Sequence, residues 1–257
     1  MSREQRGTER TRLRNILTVL AAAVTIAAAG TLTTPAQATP TVASPDPAPL
    51  ATGAAVTTPA SLDTRALWDG TRPIYFVPTT NRVVFITVDD GIDRNIRWVQ
   101  LMRSGRWPVV MFPTGEMTDA SPAYWRGMLA AGVPLQDHTY SHPDLRWRST
   151  YEQAVQICAG ARSIYQATRT KPTIVRPPYG AWNAGTLQAA RQCGMRYVVN
   201  WDTVVDHGRI TYARGYLRPG SIMLLHLTPN FQTDLTVALE AAQRAGLRPA
   251  YLTNYLR

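Results

Sequence analysis

Two of the four histidines in this 257-residue sequence stand four residues apart, in "HTYSHPD" (138–144). Four residues make about one turn of helix or two pleats of strand, so either element would aim His138 and His142 at one object. Two adjacent carboxylates, Asp89 and Asp90, close the run "VVFITVDDG". Two histidines and one carboxylate supply three ligands and leave a position open for water, the arrangement of catalytic rather than structural zinc. A divalent cation held this way lowers the pKa of a bound water toward about 7 and polarises a carbonyl oxygen. The second carboxylate can take the water's proton, and a separate histidine, His226 in "LLHLT", can protonate a leaving group. Together these residues are equipment for metal-assisted hydrolysis of an acyl bond.

Each cluster alone also has a plainer reading. Asp-Gly favours a turn; "HTYSH" could be a polar loop, "RPPYG" (176–180) a rigid turn, and His226 a satisfied core histidine. Position joins them. Apolar, β-branched runs recur at 83–88, 108–112, 133–136, 173–176, 196–201, 221–227 and 249–252. Helix-like stretches lie between several of them. One spans 150–167, with "STYE" as a capping box and Tyr151, Val155, Cys158, Ile164 and Tyr165 on one broad face. Others run from 184 to 193 after Asn183, and from 234 to 245 with Asp234 opening the helix. Alternating strands and helices predict a parallel sheet or barrel covered by helices. Every polar cluster then falls at the carboxyl end of a strand, where a β/α barrel builds its active site.

The four motifs "TVDDG", "HTYSH", "RPPYG" and "LLHL", in that order, resemble the NodB-homology polysaccharide deacetylases, carbohydrate esterase family four. The resemblance covers roughly residues 72–257. It implies a distorted (β/α) barrel of about seven strands, fewer than the usual eight. It also implies removal of acetyl groups from N-acetylated or O-acetylated sugars with a divalent metal, zinc or a similar ion. By the same resemblance Asp89 is the general base, Asp90, His138 and His142 hold the metal, and Arg176 orients the base. Tyr179 would offer its backbone N–H to the oxyanion, Leu224 would line the acetyl pocket, and His226 would be the general acid.

One motif departs from the family pattern. Where D-x-x-D-W is usual, "NWDTVVDHG" has an extra residue and places His207 at the expected Trp. Aligning Asp202 with the start of that motif makes it the carboxylate that tunes His226; Asp206 is the alternative.

Composition bounds the setting. The formal net charge of +10 is carried almost entirely by arginine, Lys171 being the only lysine. Such a balance favours anionic surfaces, an anionic cell wall among them. No basic run interleaved with aromatics follows the N-terminus, so nucleic acid is not the expected partner. Arg3, Arg6, Arg10, Arg12 and Arg14 precede an uncharged apolar stretch and "AQA" (36–38), the pattern of a signal peptide over 1–38. An uncleaved anchor is the competing reading, although the stretch is short for a span of about 20 residues. With the signal removed, no stable membrane insertion is expected. Residues 39–62 are Pro-, Ala- and Thr-rich and read as a linker; the catalytic domain is expected over 63–257. Export would expose Cys158 and Cys193, the only cysteines, to oxidation. A disulfide and two buried thiols are both open. The expectation is a secreted monomer acting on N-acetylglucosamine-containing glycans, peptidoglycan or chitin-like. The alternatives are an acetylxylan esterase and a non-catalytic wall-binding domain.

Overall fold

Strand β1 (Val83–Asp90) forms where the apolar run 83–88 predicts it, and it is buried along almost its whole length. The computed structural model describes residues 69–256. The expected signal segment, linker and first residues of the catalytic domain lie outside the described residues. β1 is apolar on both faces because both are covered, and it pairs in parallel with β2 (Val109–Pro113) and β7 (Ile222–His226). Pleat alternation splits its side chains between two cores. Val84, Ile86 and Val88 face outward, in one core with Trp98 and Met102 of α1 (Ile96–Gly105) and Trp125 of α3 (Pro122–Ala130). Phe231 and Leu235 of α6 (Phe231–Arg244) complete that layer. Val83 and Phe85 face inward with Val110, Phe112, Ile174, Tyr197 and Ile222. The inward series of β1 continues through Thr87 to Asp89, which is how a carboxylate arrives at the mouth of an apolar interior.

The fold is a distorted (β/α) barrel. From β2 the ring passes through the bridges Met111–Leu135 and Asp137–Val175 to β3 (Ile174–Val175) and β4 (Tyr197–Val198). The run 133–136, expected as a strand, contributes only the isolated bridge at Leu135, and 249–252 yields only the short β8 (Arg248–Pro249) against the start of β1. Between β4 and β7 the ring is closed by a loop segment: Ile74 bridges Val199, and Phe76 bridges Ser221 in the opposite sense. Beside that seam stands a hairpin of β5 (Thr203–Asp206) and β6 (Arg209–Tyr212), which the periodicity did not predict. Its two-residue turn, His207-Gly208, has φ of 50° and 72°, the left-handed pair that a tight hairpin needs.

The helices carry two corrections. Helix α4 (Thr150–Thr168) has the expected capping box between Ser149 and Glu152, but it buries Gln153, Ile157, Gly160, Ser163, Ile164 and Ala167. Tyr151 and Val155 of the expected face are exposed. The packed face uses small and polar residues that hydrophobic periodicity does not score; a Cβ on Gly160 would sit 2.2 Å from Asp137 Oδ1. Helix α6 starts at Phe231, before the expected 234, because buried Asp234 is not its cap: it accepts a 2.7 Å hydrogen bond from Gly208 N–H and ties down the hairpin.

Helix α5 (Ala184–Gln192) begins at Asn183 as expected, and a Cys158–Cys193 disulfide joins its end to α4. Bridging a sequence separation of 35 restricts the unfolded chain by an amount equivalent to about 4 kcal/mol. Reduction is therefore expected to lower the denaturant midpoint clearly. Thiol counting on denatured, unreduced protein checks the bond, and two free thiols would refute it.

Candidate active site

At the end of β1 the chain turns sharply, with φ of 71° at Asp90 and 89° at Gly91. Gly91 is required twice over: its conformation suits glycine, and a Cβ there would meet the Trp125 ring at 2.5 Å. The turn separates the two acids. Asp89 keeps the strand's inward direction, while Asp90 points to the loop that follows Asp137.

That loop brings His138 and His142 together by neither of the regular elements that the spacing suggested. Left-handed residues at Thr139 (φ 65°) and His142 (φ 59°) fold it instead. Asp90 Oδ1 lies 3.4 Å from the Nε2 of each histidine. Tyr179, in the loop after β3, is left-handed too (φ 59°), and its ring meets the edge of His142 at 4.6 Å between centroids. Four non-glycine residues in an unfavourable conformation, gathered around one point, mark a place where geometry has been held against local preference.

The cluster fits a divalent cation on three counts. Asp90, His138 and His142 each offer a ligand atom, and these atoms lie within 4.8 Å of one another. Asp90 Oδ1 is buried with no hydrogen-bond partner, a costly condition for a carboxylate oxygen unless something else occupies it. The Nδ1 of His138 lies 2.8 Å from the carbonyl oxygen of Arg176; as a donor there it leaves the Nε2 lone pair directed at the cluster. Burial pushes the Asp90 carboxyl up, but the nearby imidazoles of His138, His142 and His226 hold it below its usual value. Burial and the charge of His138 together lower His142.

Asp89 is held by Arg176, which is completely buried. The guanidinium donates from Nη1 to Asp89 Oδ1 at 2.7 Å and to Thr87 Oγ1 at 2.8 Å, and from Nη2 to the Asn200 carbonyl at 3.3 Å. It also stacks 4.4 Å from the Phe112 ring centroid. Thr87 and Asn200 were missed by the sequence reading. A threonine two residues before Asp89, inside an otherwise apolar strand, was the available signal for the first. Asp89 Oδ2 is left facing the metal-ligand cluster, 3.7 Å from His138 Nε2.

His226 ends β7 in direct register with Asp89, so it reaches the same rim from the adjacent strand. Leu224, two residues earlier, shares its inward face and is buried. Asp202 is not there. Thr203 is in register with Met223, which puts Asp202 level with Ile222, four residues and about 13 Å along the strand from His226. Its carboxylate accepts from Ile222 N–H at 3.1 Å and from Ser221 Oγ at 3.0 Å. The expected Asp202–His226 pairing is corrected on this register. Asp206, the alternative, ends β5 nearer the level of His226, but its carboxylate goes to His207 Nδ1 at 2.9 Å on the exposed hairpin turn. Among the described residues His226 makes no ion pair. Asp202→Asn is accordingly expected to leave both limbs of a pH–rate profile in place; a displaced upper limb would restore the pairing.

The chain is similar to several known proteins. A model of the family described as polysaccharide deacetylase matches residues 76–198. An uncharacterised protein of Streptomyces coelicolor is 37% identical over 193 residues, covering 70% of this chain and 75% of that one. A chitooligosaccharide deacetylase of a Bradyrhizobium species is 28% identical over 155 residues, 56% of this chain and 70% of the relative. Among solved structures, a CE4 family pseudoenzyme from Bacillus anthracis superposes with a TM-score of 0.63 at 19% identity, covering 73% of this chain and 69% of that one. That likeness concerns the fold alone.

Proposed function

Because this chain belongs to the polysaccharide deacetylase family, we propose that it is a secreted, metal-dependent hydrolase. Its substrates are N-acetylglucosamine-containing glycans of the peptidoglycan or chitin type, and it acts as a monomer. The observation that carries the reading is the buried, unpartnered Asp90 Oδ1 between two histidine Nε2 atoms, next to the buried Asp89–Arg176 pair. Secretion rests on the signal pattern of residues 1–38.

Asp90, His138 and His142 would hold a divalent cation, zinc or a similar ion, which supplies Lewis acidity to the acetyl carbonyl and to water. Asp89 acts as the base. Its Oδ1 is engaged by Arg176, so Oδ2 is the oxygen that takes a proton from the attacking water. The water oxygen bonds to the acetyl carbon, and the backbone N–H of Tyr179 is assigned to the oxyanion that forms. Leu224 receives the acetyl methyl group. His226, across the register from Asp89, gives its proton to the sugar nitrogen as the carbon–nitrogen bond breaks. Acetate and a free amine leave.

Acetate release from N-acetylated chitooligosaccharides and peptidoglycan fragments tests the proposal. Activity is expected to vanish after thorough chelation and to return with zinc. His142→Ala is expected to bind less than one metal equivalent by elemental analysis and to be inactive. Undiminished turnover after metal removal would sink the mechanism, and no acetate release from any glycan would favour a non-catalytic wall-binding domain.

A further inference from the structure

A cavity of about 510 Å³ opens beside the barrel seam, and none of the metal-ligand cluster lines it. Its walls come from the closing segment around 72–78, from Trp201 and Asp202, and from the stretch after β6 that holds Arg214 and Arg218. The size suits a small ligand or one unit of a larger one. The composition is specific: the aromatic residues Tyr75, Phe76 and Trp201, with the arginines Arg72, Arg214 and Arg218.

The charges are arranged to leave cationic capacity. Arg218 lies over Phe76, 3.5 Å from the ring centroid, and is ion-paired with Asp202, its Nε 3.7 Å from Oδ2, so the cationic capacity rests with Arg214. Asp202 spends its own oxygens on Ser221 and Ile222, and burial pushes its carboxyl up. Asp69 is engaged by Thr71. Arg214 is exposed and makes no ion pair among the described residues. Arginine beside an aromatic wall is the equipment for a planar carboxylate attached to an apolar-faced ring, because the guanidinium fork matches the carboxylate and the aromatic face takes the ring.

Two residues of the cavity touch the loop that leads to the catalytic rim. Trp182, two residues past Gly180 in the loop that carries Arg176 and Tyr179, donates from Nε1 to Tyr75 Oη at 3.1 Å. Trp201 lies against the same loop: a Cβ on Gly180 would meet its Cη2 at 3.1 Å, and the Arg176 guanidinium is 5.6 Å from its ring. The same loop thus connects the cavity with the rim, and about 13 Å of strand separates Asp202 from the level of His226.

We propose that the seam cavity is a second glycan-binding site that takes a carboxylate-bearing sugar unit of the same polymer whose acetyl group is at the catalytic rim. The inference rests on the deacetylase reading for its substrate. It also accounts for the departing motif, since Trp201 and Asp202 line this cavity rather than supporting His226.

The test uses the full chain and two probes: an oligosaccharide of N-acetylated amino sugars with carboxylates on alternate units, and the same molecule with those carboxylates reduced to alcohols. By titration calorimetry the acid form is expected to bind about tenfold more tightly, the effect of one charge-assisted hydrogen bond. Arg214→Ala, at an exposed position that the fold does not depend on, should erase that preference. Its turnover of neutral chitooligosaccharide should stay within about twofold of the parent. Equal binding of the two probes overturns the proposal. So does an acid preference that survives Arg214→Ala, or one that dextran sulfate abolishes as readily as the acid probe does, since that is general attraction of polyanions. Acetate release without acid preference sinks the cavity site alone; acid preference dependent on Arg214 in a protein that releases no acetate supports the site and sinks the deacetylase reading.

Discussion

Asp89→Asn is expected to slow acetate release by about 10²–10⁴-fold, the usual contribution of a positioned base, while the metal site still loads. The asparagine keeps the shape of the side chain and can still accept from Arg176 Nη1 through its oxygen. It cannot take a proton, because the atom replacing Oδ2 is an N–H donor. The three ligand atoms belong to Asp90, His138 and His142 and do not depend on the charge of Asp89. Turnover and metal content measured on the same preparation separate the two acids. Metal loss equal to that of His142→Ala would mean that Asp89 is itself a ligand, and the division of labour between adjacent carboxylates would fail.

Arg176→Met is expected to be the most destabilising single change at the site, by about 3–5 kcal/mol, as well as inactivating. The side chain is fully buried, and it makes hydrogen bonds to Asp89, Thr87 and the Asn200 carbonyl. Methionine fills the volume of the stem but leaves the buried Asp89 Oδ1 without the guanidinium that pairs with it. The companion variant Arg176→Met/Asp89→Leu removes both charges and should recover most of the lost stability while staying inactive, because an apolar pair of similar volume escapes the desolvation penalty. Urea denaturation with a constant slope reads both values. A single Arg176→Met within about 1 kcal/mol of the parent would show that the pair contributes little to the fold.

The residues that the structure gathers at the rim, Asp89, Asp90, His138, His142, Arg176 and His226, were legible because residue type and order single them out. Two histidines, two adjacent acids, an arginine before paired prolines and a histidine at a strand end leave few other uses for that combination. The parallel strands were legible too, since a strand covered on both faces must be apolar on both, as 83–88 is apart from Thr87. Local signals located Ser149 and Asn183 as helix caps.

Other features depended on three-dimensional neighbours and were not legible. The buried face of α4 is lined by Gln153, Gly160 and Ser163, chosen by close approach and hydrogen bonding rather than by hydropathy. The 138–142 loop joins its histidines through left-handed residues, which the four-residue spacing alone does not announce. The fate of Asp202 was settled by register. A shift along a strand moves a carboxylate by about 3.3 Å per residue, and alignment by motif letters carries no register. Sequence by itself thus determined which groups this protein has for chemistry, because residue type fixes charge, ligand atoms and proton affinity. Only the tertiary structure decided which groups meet, because Asp89 and His226, 137 positions apart, become neighbours through strand pairing, whereas Asp202 is carried to the seam by the same pairing.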